Sequence, residues 1–411
     1  MNLDIISIGD ELLIGQTLNT NAFWISKELN KIGFTIRQQI TIADTETAIL
    51  TALETALSKS DVVIFTGGLG PTSDDLTMPA LNKYFGGSLM RDDKVYQHIK
   101  KMITSRGFEM NRNNQNQALV PDNCRVIYNA NGTAPGLWFE KEGKVVIAMP
   151  GVPYEMKAMV TDEVIPKLKE QFDLPEIINQ MVYTQGMPES MLAERIFDWE
   201  NNLPETIKLA YLPSPGRVKL CLSSTGTDRG KLQHNINVEI EKLAQLIPQY
   251  IYSADNEDIA TVVGELLRKN KLTLATAESC TGGYIAHLIT RIAGSSDYYK
   301  GSVIAYSNEV KINELSVNAD DIDKYGAVSE QVVQQMAVGV KNKMNTDYAI
   351  AISGIAGPTG GTDQKPVGTV WIALATPKGT VAKKHVFGKQ RDVNIERAAI
   401  TALGVLRKEL G

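Results

Sequence analysis

Residues 61–75 read DVVIFTGGLGPTSDD. A short apolar run, Val62–Phe65, breaks into a loop of glycines and polar residues, the pattern of a buried strand opening at its carboxyl end. The neighbouring segments repeat the motif. LDIISIG (3–9), FTIRQQITIA (34–43), GLWFE (136–140) and KVVIAMPG (144–151) read as strands. NAFWISKELNKIG (21–33), TETAILTALETALSKS (45–60) and VYQHIKKMITSRG (95–107) read as helices. Strands alternating with amphipathic helices predict βαβ units around a mostly parallel sheet, an α/β domain.

The rhythm changes after residue 168. NQMVYTQG, ESMLAERIFDWENN, IKLAYLPS, RVKLCLSS and LQHNINVEIEKLAQLIP suggest a small α+β module over 169–252. From 253 to 411 the alternation returns through LTLATAES, TGGYIAHLITRIAG, GSVIAYS, SEQVVQQMAVGVKNKM, DYAIAISG and GTVWIALAT. Three domains are expected, 1–168, 169–252 and 253–411, and 411 residues suffice for each to bury a core.

Composition narrows the function classes. The chain is 43% hydrophobic and 22% charged, with a net charge of −5. Its acidic excess lies in the first 250 residues and the remainder is close to neutral, so neither part is the basic body expected of a nucleic-acid binder. Cys124, Cys221 and Cys280 are odd in number and far apart, which fits a reducing cytoplasm better than a disulfide framework. The four histidines form no zinc-ligand pattern. The start lacks the features of a signal peptide, and no apolar run approaches the ~20 residues that span a bilayer.

Two polar loops at strand ends make a candidate site in the first domain. One is Gly9-Asp10-Glu11-Leu12-Leu13-Ile14-Gly15, followed by Asn19 and Asn21; the other is the run from Thr66 through Gly67, Gly68 and Gly70 to Asp74 and Asp75. Glycines let backbone N–H groups approach a phosphate, and Glu11, Asp74 and Asp75 are hard oxygen donors of the kind Mg²⁺ accepts. The alternative makes the glycine run a tight turn and the Asp pair a cap for the next helix. A third loop, Pro150-Gly151-Val152-Pro153, is either a contact loop or a proline-started helix.

In the last domain, Ala277-Glu278-Ser279-Cys280-Thr281-Gly282-Gly283 places a serine where a strand runs into a helix. That junction offers a nucleophile beside backbone donors for an oxyanion. His287 lies too far along the helix to act as its base. A lysine neutralised by desolvation is the other route, with Lys311 as the candidate and Tyr306 as proton relay. The alternative reading makes Ser279 an N-cap and Lys311 an exposed helical residue; Cys280 is the rival nucleophile. A further loop, Ser353-Gly354-Ile355-Ala356-Gly357, and the late Arg391 and Arg397 suit recognition of a phosphate.

These stretches carry a resemblance. GDELLIGQTLNTN, FTGGLGPTSDDLT and MPGVPYEM in the first half, with AESCTGG, YGAVSE and ISGIAGPTGGTDQKPVGTVW in the second, resemble the CinA family over essentially the whole length. The resemblance implies a molybdopterin-binding-like first domain, active in some relatives as a metal-dependent ADP-ribose pyrophosphatase, and a KH-like middle module. It also implies a cofactor-free C-terminal amidase that converts nicotinamide mononucleotide to nicotinic acid mononucleotide and ammonia. Ser279, Tyr306 and Lys311 match its catalytic positions; Cys280–Gly283, Ser353–Gly357, Arg391 and Arg397 match positions that hold substrate or oxyanion. Gly9, Asn19, Asn21, Thr66, Gly67, Gly68, Gly70, Pro150 and Gly151 match the first domain's nucleotide loops, and Glu11, Asp74 and Asp75 its metal site. The resemblance further implies a homodimer. A first domain that only holds a pterin, or an accessory role in competence or DNA recombination, are the other readings. The middle module lacks a convincing GxxG loop, so no direct nucleic-acid contact is expected.

Overall fold

The computed structural model describes residues 1–72 and 74–411; Ser73 of the glycine-rich loop lies outside the described residues. The chain divides into two compact units, Met1–Ile178 with Thr225–Gly230, and Asn179–Ser224 with Lys231–Gly411.

The first unit is built on six strands. β1 (Asn2–Ile8), β2 (Thr35–Ile42) and β3 (Val62–Thr66) precede a separate ribbon of β4 (Leu89–Arg91) and β5 (Leu119–Pro121). β6 (Arg125–Ile127), β7 (Gly136–Lys141) and β8 (Lys144–Met149) complete the sheet in the order β2-β1-β3-β8-β7-β6. β2, β1, β3 and β8 run parallel; β7 is antiparallel to β8, and β6 is antiparallel to β7. The sheet is mostly parallel, as expected, and its antiparallel edge has a local cause. Glu142 and Gly143 both have positive φ, making a two-residue hairpin that no parallel crossover could use. Two apolar clusters form from the two faces of β1 and β3: Leu3, Ile5, Val62 and Ile64 on one side, Ile6, Ile8, Val63 and Phe65 on the other. A strand covered on both faces must be apolar throughout, which is why Val62–Phe65 reads as it does.

The second unit begins with the small module. β9 (Glu176–Gln185), β10 (Ile207–Ser214), β11 (Arg217–Gly226) and β12 (Ile251–Ser253) form a sheet in the order β10-β11-β9-β12, with helices Glu189–Asn201 and Arg229–Leu246. A second α/β sheet follows. It comprises β13 (Leu274–Glu278), β14 (Tyr299–Ile304), β15 (Tyr348–Gly354), β16 (Thr369–Thr376) and β17 (Gly379–Val386), ordered β14-β13-β15-β16-β17. β13 is parallel to both its neighbours, while β16 and β17 form an antiparallel edge.

Both α/β sheets share one topological fact. The first strand of each has its successors on opposite sides: β2 and β3 flank β1, and β14 and β15 flank β13. Loops leaving such a strand and its neighbour diverge, opening a crevice at the carboxyl ends. The candidate loops after β1 and β3, and after β13 and β15, therefore border two crevices. All three cysteines are free thiols, and among the described residues no helix is long and apolar enough to cross a membrane.

Asp4 on β1 is wholly buried and is paired by Arg37 Nε at 2.8 Å and by the Ser60 hydroxyl at 2.9 Å. Removing the cation from a buried pair leaves an uncompensated carboxylate. Arg37→Ala is expected to destabilise the first unit by about 3–5 kcal/mol, read as loss of hydrogen-exchange protection in β1 and β2; unchanged protection would contradict it.

Candidate functional site

Around Ser279 the turn is held by a carboxylate. β13 ends on Glu278, which is fully buried. Its Oε2 accepts from the N–H groups of Gly283 at 3.2 Å and Ile285 at 3.0 Å, and its Oε1 from Ala286 at 2.9 Å. Those N–H groups open the helix Tyr284–Thr290, so Glu278 caps it from the preceding strand. The strand does not run straight into the helix. Residues 279–283 make a turn in which Gly282 (φ 59°) and Gly283 (φ 99°) are left-handed, a conformation glycine adopts without penalty. The helix N-cap is Gly283, so Ser279 is not a cap.

Ser279 lies at the mouth of this turn, 9% exposed, with its N–H donating to Ile352 O of β15. Lys311 Nζ donates to Ser279 Oγ at 3.3 Å. Far from being an exposed helical residue, Lys311 is 1% exposed in the helix Asn308–Leu315. Its Nζ turns back onto the carbonyls of Ala305 at 2.7 Å, Tyr306 at 3.4 Å and Ser307 at 3.4 Å. Burial lowers the Lys311 proton affinity below the ordinary lysine value, opposed only by the nearby Cys280. A neutral amine in this place has hydrogens for the carbonyls and a lone pair for the serine hydroxyl. Cys280 has no such partner, and burial pushes its thiol up to about 12.

Three sequence expectations change here. Tyr306 meets Lys311 through its backbone carbonyl; its ring is exposed and its hydroxyl accepts from Arg391 at 3.0 Å. The N–H groups of Gly282 and Gly283 are taken by Ser279 O and Glu278, leaving those of Cys280 and Thr281 without an acceptor among the described residues. Thr281 Oγ1 is likewise buried with no partner. Arg391 and Arg397 do not act together. Arg391 bonds Gly357 O at 2.8 Å as well as Tyr306, bringing the 353–357 loop to this site, whereas Arg397 lines a different cleft with Arg217 and His385. Within the loop, the Ser353 hydroxyl donates to Ala327 O, Ile355 N–H to Thr369 O, and Ala356 O accepts from Asn394. Gly354 is a position of close approach, since a Cβ there would meet Cys280 Sγ at 3.0 Å. Glu278 and Asn394 were not singled out from sequence; a buried acid one residue before the serine was the available signal.

In the first unit the loops after β1, β3 and β8 are stitched together. Asn21 Nδ2 donates to Thr66 Oγ1 at 3.1 Å and to Gly151 O at 2.7 Å, and Thr66 Oγ1 reaches Pro150 O. Asn19 caps its own helix through Ala22 N–H and bonds Ser7, so its amide is structural. Pro153 does start a helix, Pro153–Met159. Gly67 (φ 109°) and Gly68 (φ 65°) bend the loop, and a Cβ on Gly67 would lie 2.3 Å from Ile8 O, so the chain cannot pass here with a side chain. The N–H groups of Gly68, Leu69 and Gly70 have no acceptor among the described residues. The helix Thr77–Phe85 has no side-chain cap, so the Asp pair is not its cap. Asp75 instead accepts from Thr72 N–H and hydroxyl beside Gly70, while Asp74 is exposed.

The acidic groups are distributed differently from the expected Glu11, Asp74 and Asp75. Asp44 joins Asp10, Glu11 and Asp75: its carboxyl is raised by burial and by those three charges, against a backbone hydrogen bond from Asp10. No group of three His, Cys, Asp or Glu side chains converges on one point among the described residues. Mg²⁺ beside phosphates needs only one or two carboxylates, with the rest of its shell from phosphate and water, and the donor set fits that mode. Glu11, Asn21, Thr66 and Gly151 also border a small cavity of about 120 Å³. Gly68, Gly70, Thr72 and Asp75 border another of about 170 Å³ with Gln117, whose amide nitrogen and oxygen are both buried without a partner. Nothing in the sequence pattern marked Gln117.

Three family profiles match the chain: "Probable molybdopterin binding domain" over 4–170, "Damage-inducible protein CinA KH domain" over 179–253, and "CinA C-terminal domain" over 256–410. A CinA-like protein of Cytophaga hutchinsonii is 46% identical over 407 residues, 99% of this chain and 97% of its own. One from Flavobacterium psychrophilum is 46% identical over 412 residues, 100% of this chain and 99% of its own. A solved CinA superfamily protein from Klebsiella pneumoniae is 36% identical, covers 37% of this chain and 95% of its own, and has a TM-score of 0.36. The buried Ser279–Lys311 pair thus sits in the part matched by the CinA C-terminal profile, and the chain belongs to the CinA family, with a molybdopterin-binding-like domain, a KH domain and a CinA C-terminal domain.

Proposed function

We propose that the C-terminal domain hydrolyses the carboxamide of nicotinamide mononucleotide, with Ser279 as nucleophile and Lys311 as its base. The observation that carries this reading is the 3.3 Å contact between Ser279 Oγ and a lysine that is 1% exposed. Ser279 Oγ attacks the amide carbon as its proton passes to neutral Lys311. The oxyanion lies against the free N–H groups of Cys280 and Thr281. Collapse of the tetrahedral adduct breaks the C–N bond, and the Lys311 ammonium protonates the nitrogen, which leaves as ammonia. Water then adds to the acyl ester, giving its proton to Lys311, and collapse returns that proton to Ser279 Oγ with release of nicotinic acid mononucleotide. Arg391, held by Gly357 O and the Tyr306 hydroxyl, is the cation at this site for the 5′-phosphate.

Ser279→Ala is expected to lower kcat for ammonia release at least about a thousandfold while leaving circular dichroism unchanged. Wild-type rates in that variant would overturn the assignment. The base must be neutral to accept a proton, so kcat/KM should rise with pH and level off below the ordinary lysine value, because burial lowers Lys311. Lys311→Met should abolish that limb together with turnover. Glu278→Gln sets an amide N–H₂ against backbone donors. It should cost about 1–3 kcal/mol of stability and reduce kcat more than it raises KM, as measured by denaturation and steady-state kinetics.

For the first domain we propose hydrolysis of ADP-ribose to AMP and ribose 5-phosphate, supported by the loop N–H groups that have no acceptor among the described residues and by the adjoining carboxylates. Mg²⁺, held by Glu11 and Asp75, would supply charge neutralisation for the pyrophosphate. The vacant donor and acceptor of Gln117 match the paired acceptor and donor on an adenine edge. Asp75→Asn should slow AMP formation at least about tenfold and Asp74→Asn much less; equal rates would remove Asp75 from the site.

A further inference from the structure

Arg397, separated from Arg391 by the structure, lines a cleft of about 680 Å³ between the KH module and the last α/β sheet, both in the second unit. From the module come Gln185 at the end of β9 and Ser214 and Arg217 around the β10–β11 turn. From the other wall come Lys383 and His385 on β17, and Arg397 and Lys408 on the final helix, Arg391–Leu410. Among the described residues, Glu189 is the only acidic one on its lining. Glu396, close by, is already engaged by Arg217 at 3.8 Å.

The two walls are fixed against each other. Gln185 Nε2 donates to Ile400 O at 2.8 Å. Gly404 leaves room for that side chain, since a Cβ there would lie 1.9 Å from Gln185 Oε1. Gly216 has no side chain where the turn passes Arg397 and Ile400; a Cβ would stand 3.6 Å from Arg397 Cα. The cleft is therefore preformed, and its size is that of pockets for small organic ligands.

Two nitrogens on residues that line this cleft are orphaned among the described residues. Arg397 Nε and His385 Nε2 are both buried and have no hydrogen-bond partner. A buried guanidinium N–H without an acceptor is costly, and its cation makes the loss larger. We propose that this cleft is a second anion site, distinct from the Ser279 centre, that takes a small phosphate-bearing molecule. Phosphate oxygens accept from the Arg397 guanidinium, and Lys383 and Lys408, with Arg217 shared with Glu396, neutralise the charge. His385 is held below its ordinary value by burial and by Lys383, and a bound anion offsets both effects.

Calorimetric titration of the full chain with inorganic phosphate, and separately with AMP, tests this. Saturable binding is expected; Arg397→Gln should weaken it about tenfold or more, the worth of one charge-assisted hydrogen bond. Arg391→Gln should leave at least one phosphate site with its Kd within about twofold of wild type. A Lys383→Ala, Lys408→Ala pair removes two exposed rim cations without touching the core and should weaken the same site about threefold or more. Binding that is lost in Arg391→Gln and kept in Arg397→Gln and in the lysine pair would place the anion at the proposed mononucleotide site and overturn the inference. So would the absence of saturable binding at about 10 mM phosphate. Neither outcome depends on amidase turnover, so a failure of the Ser279 assignment stays separate from a failure of this one.

Discussion

The carboxylate of Glu278 organises the second unit's chemistry. It is wholly buried at the end of β13 and satisfies three N–H groups at the start of the next helix. A helix N-terminus left open is an anion site, and an amide substrate's developing charge would be drawn there. By closing that end with its own anion, the chain moves the vacancy one turn back, to the N–H groups of Cys280 and Thr281 beside Ser279. The left-handed glycines at 282 and 283 are what let the turn double back far enough for the carboxylate to reach.

The first unit solves the related problem without a buried acid. Its crevice also opens where strand order reverses, but its walls are held by the Asn21 amide, which links the loops after β3 and β8. The loop N–H groups at 68–70 have no acceptor among the described residues, and the acidic residues gather on the β1, β2 and β3 side. One crevice is thus arranged around acidic groups that a cation would neutralise, the other around a lysine kept out of water. The acidic excess of the first 250 residues and the near neutrality of the rest follow the same division.

Much of this was legible in the sequence because apolar periodicity and strand-end loops are local signals. Val62–Phe65, Leu274–Glu278 and Tyr348–Gly354 read as strands since burial on both faces demands continuous apolar residues. The positions of their loops after successive strands suggest the Ser279–Lys311 pair, and the fold brings them together by placing β13 beside β14. What could not be read was direction. Tyr306 stands five residues before Lys311, yet only its carbonyl faces the amine. Arg391 and Arg397 share a helix, but six residues at 3.6 per turn put them on different faces. Asp44, Gln117 and Glu278 matter through burial and missing or abundant partners, quantities set by tertiary packing and not by spacing.

The lysine's depressed proton affinity is itself a packing product. Lys311 sits in a helix of eight residues, too short to be stable alone, so its burial depends on neighbours. Ser316 ends that helix in a left-handed conformation and returns the chain so that Val317 N–H bonds Lys311 O. Across from it, Gly339 lies in the helix Glu330–Met344, where a Cβ would stand 2.0 Å from Leu315 O. Only glycine permits this approach, and the apolar residues that come with it, Val332, Met336 and Val340, cluster with Leu315 and Val317. Burial of Lys311 among these elements lowers its proton affinity, and the serine receives that effect through a single 3.3 Å contact.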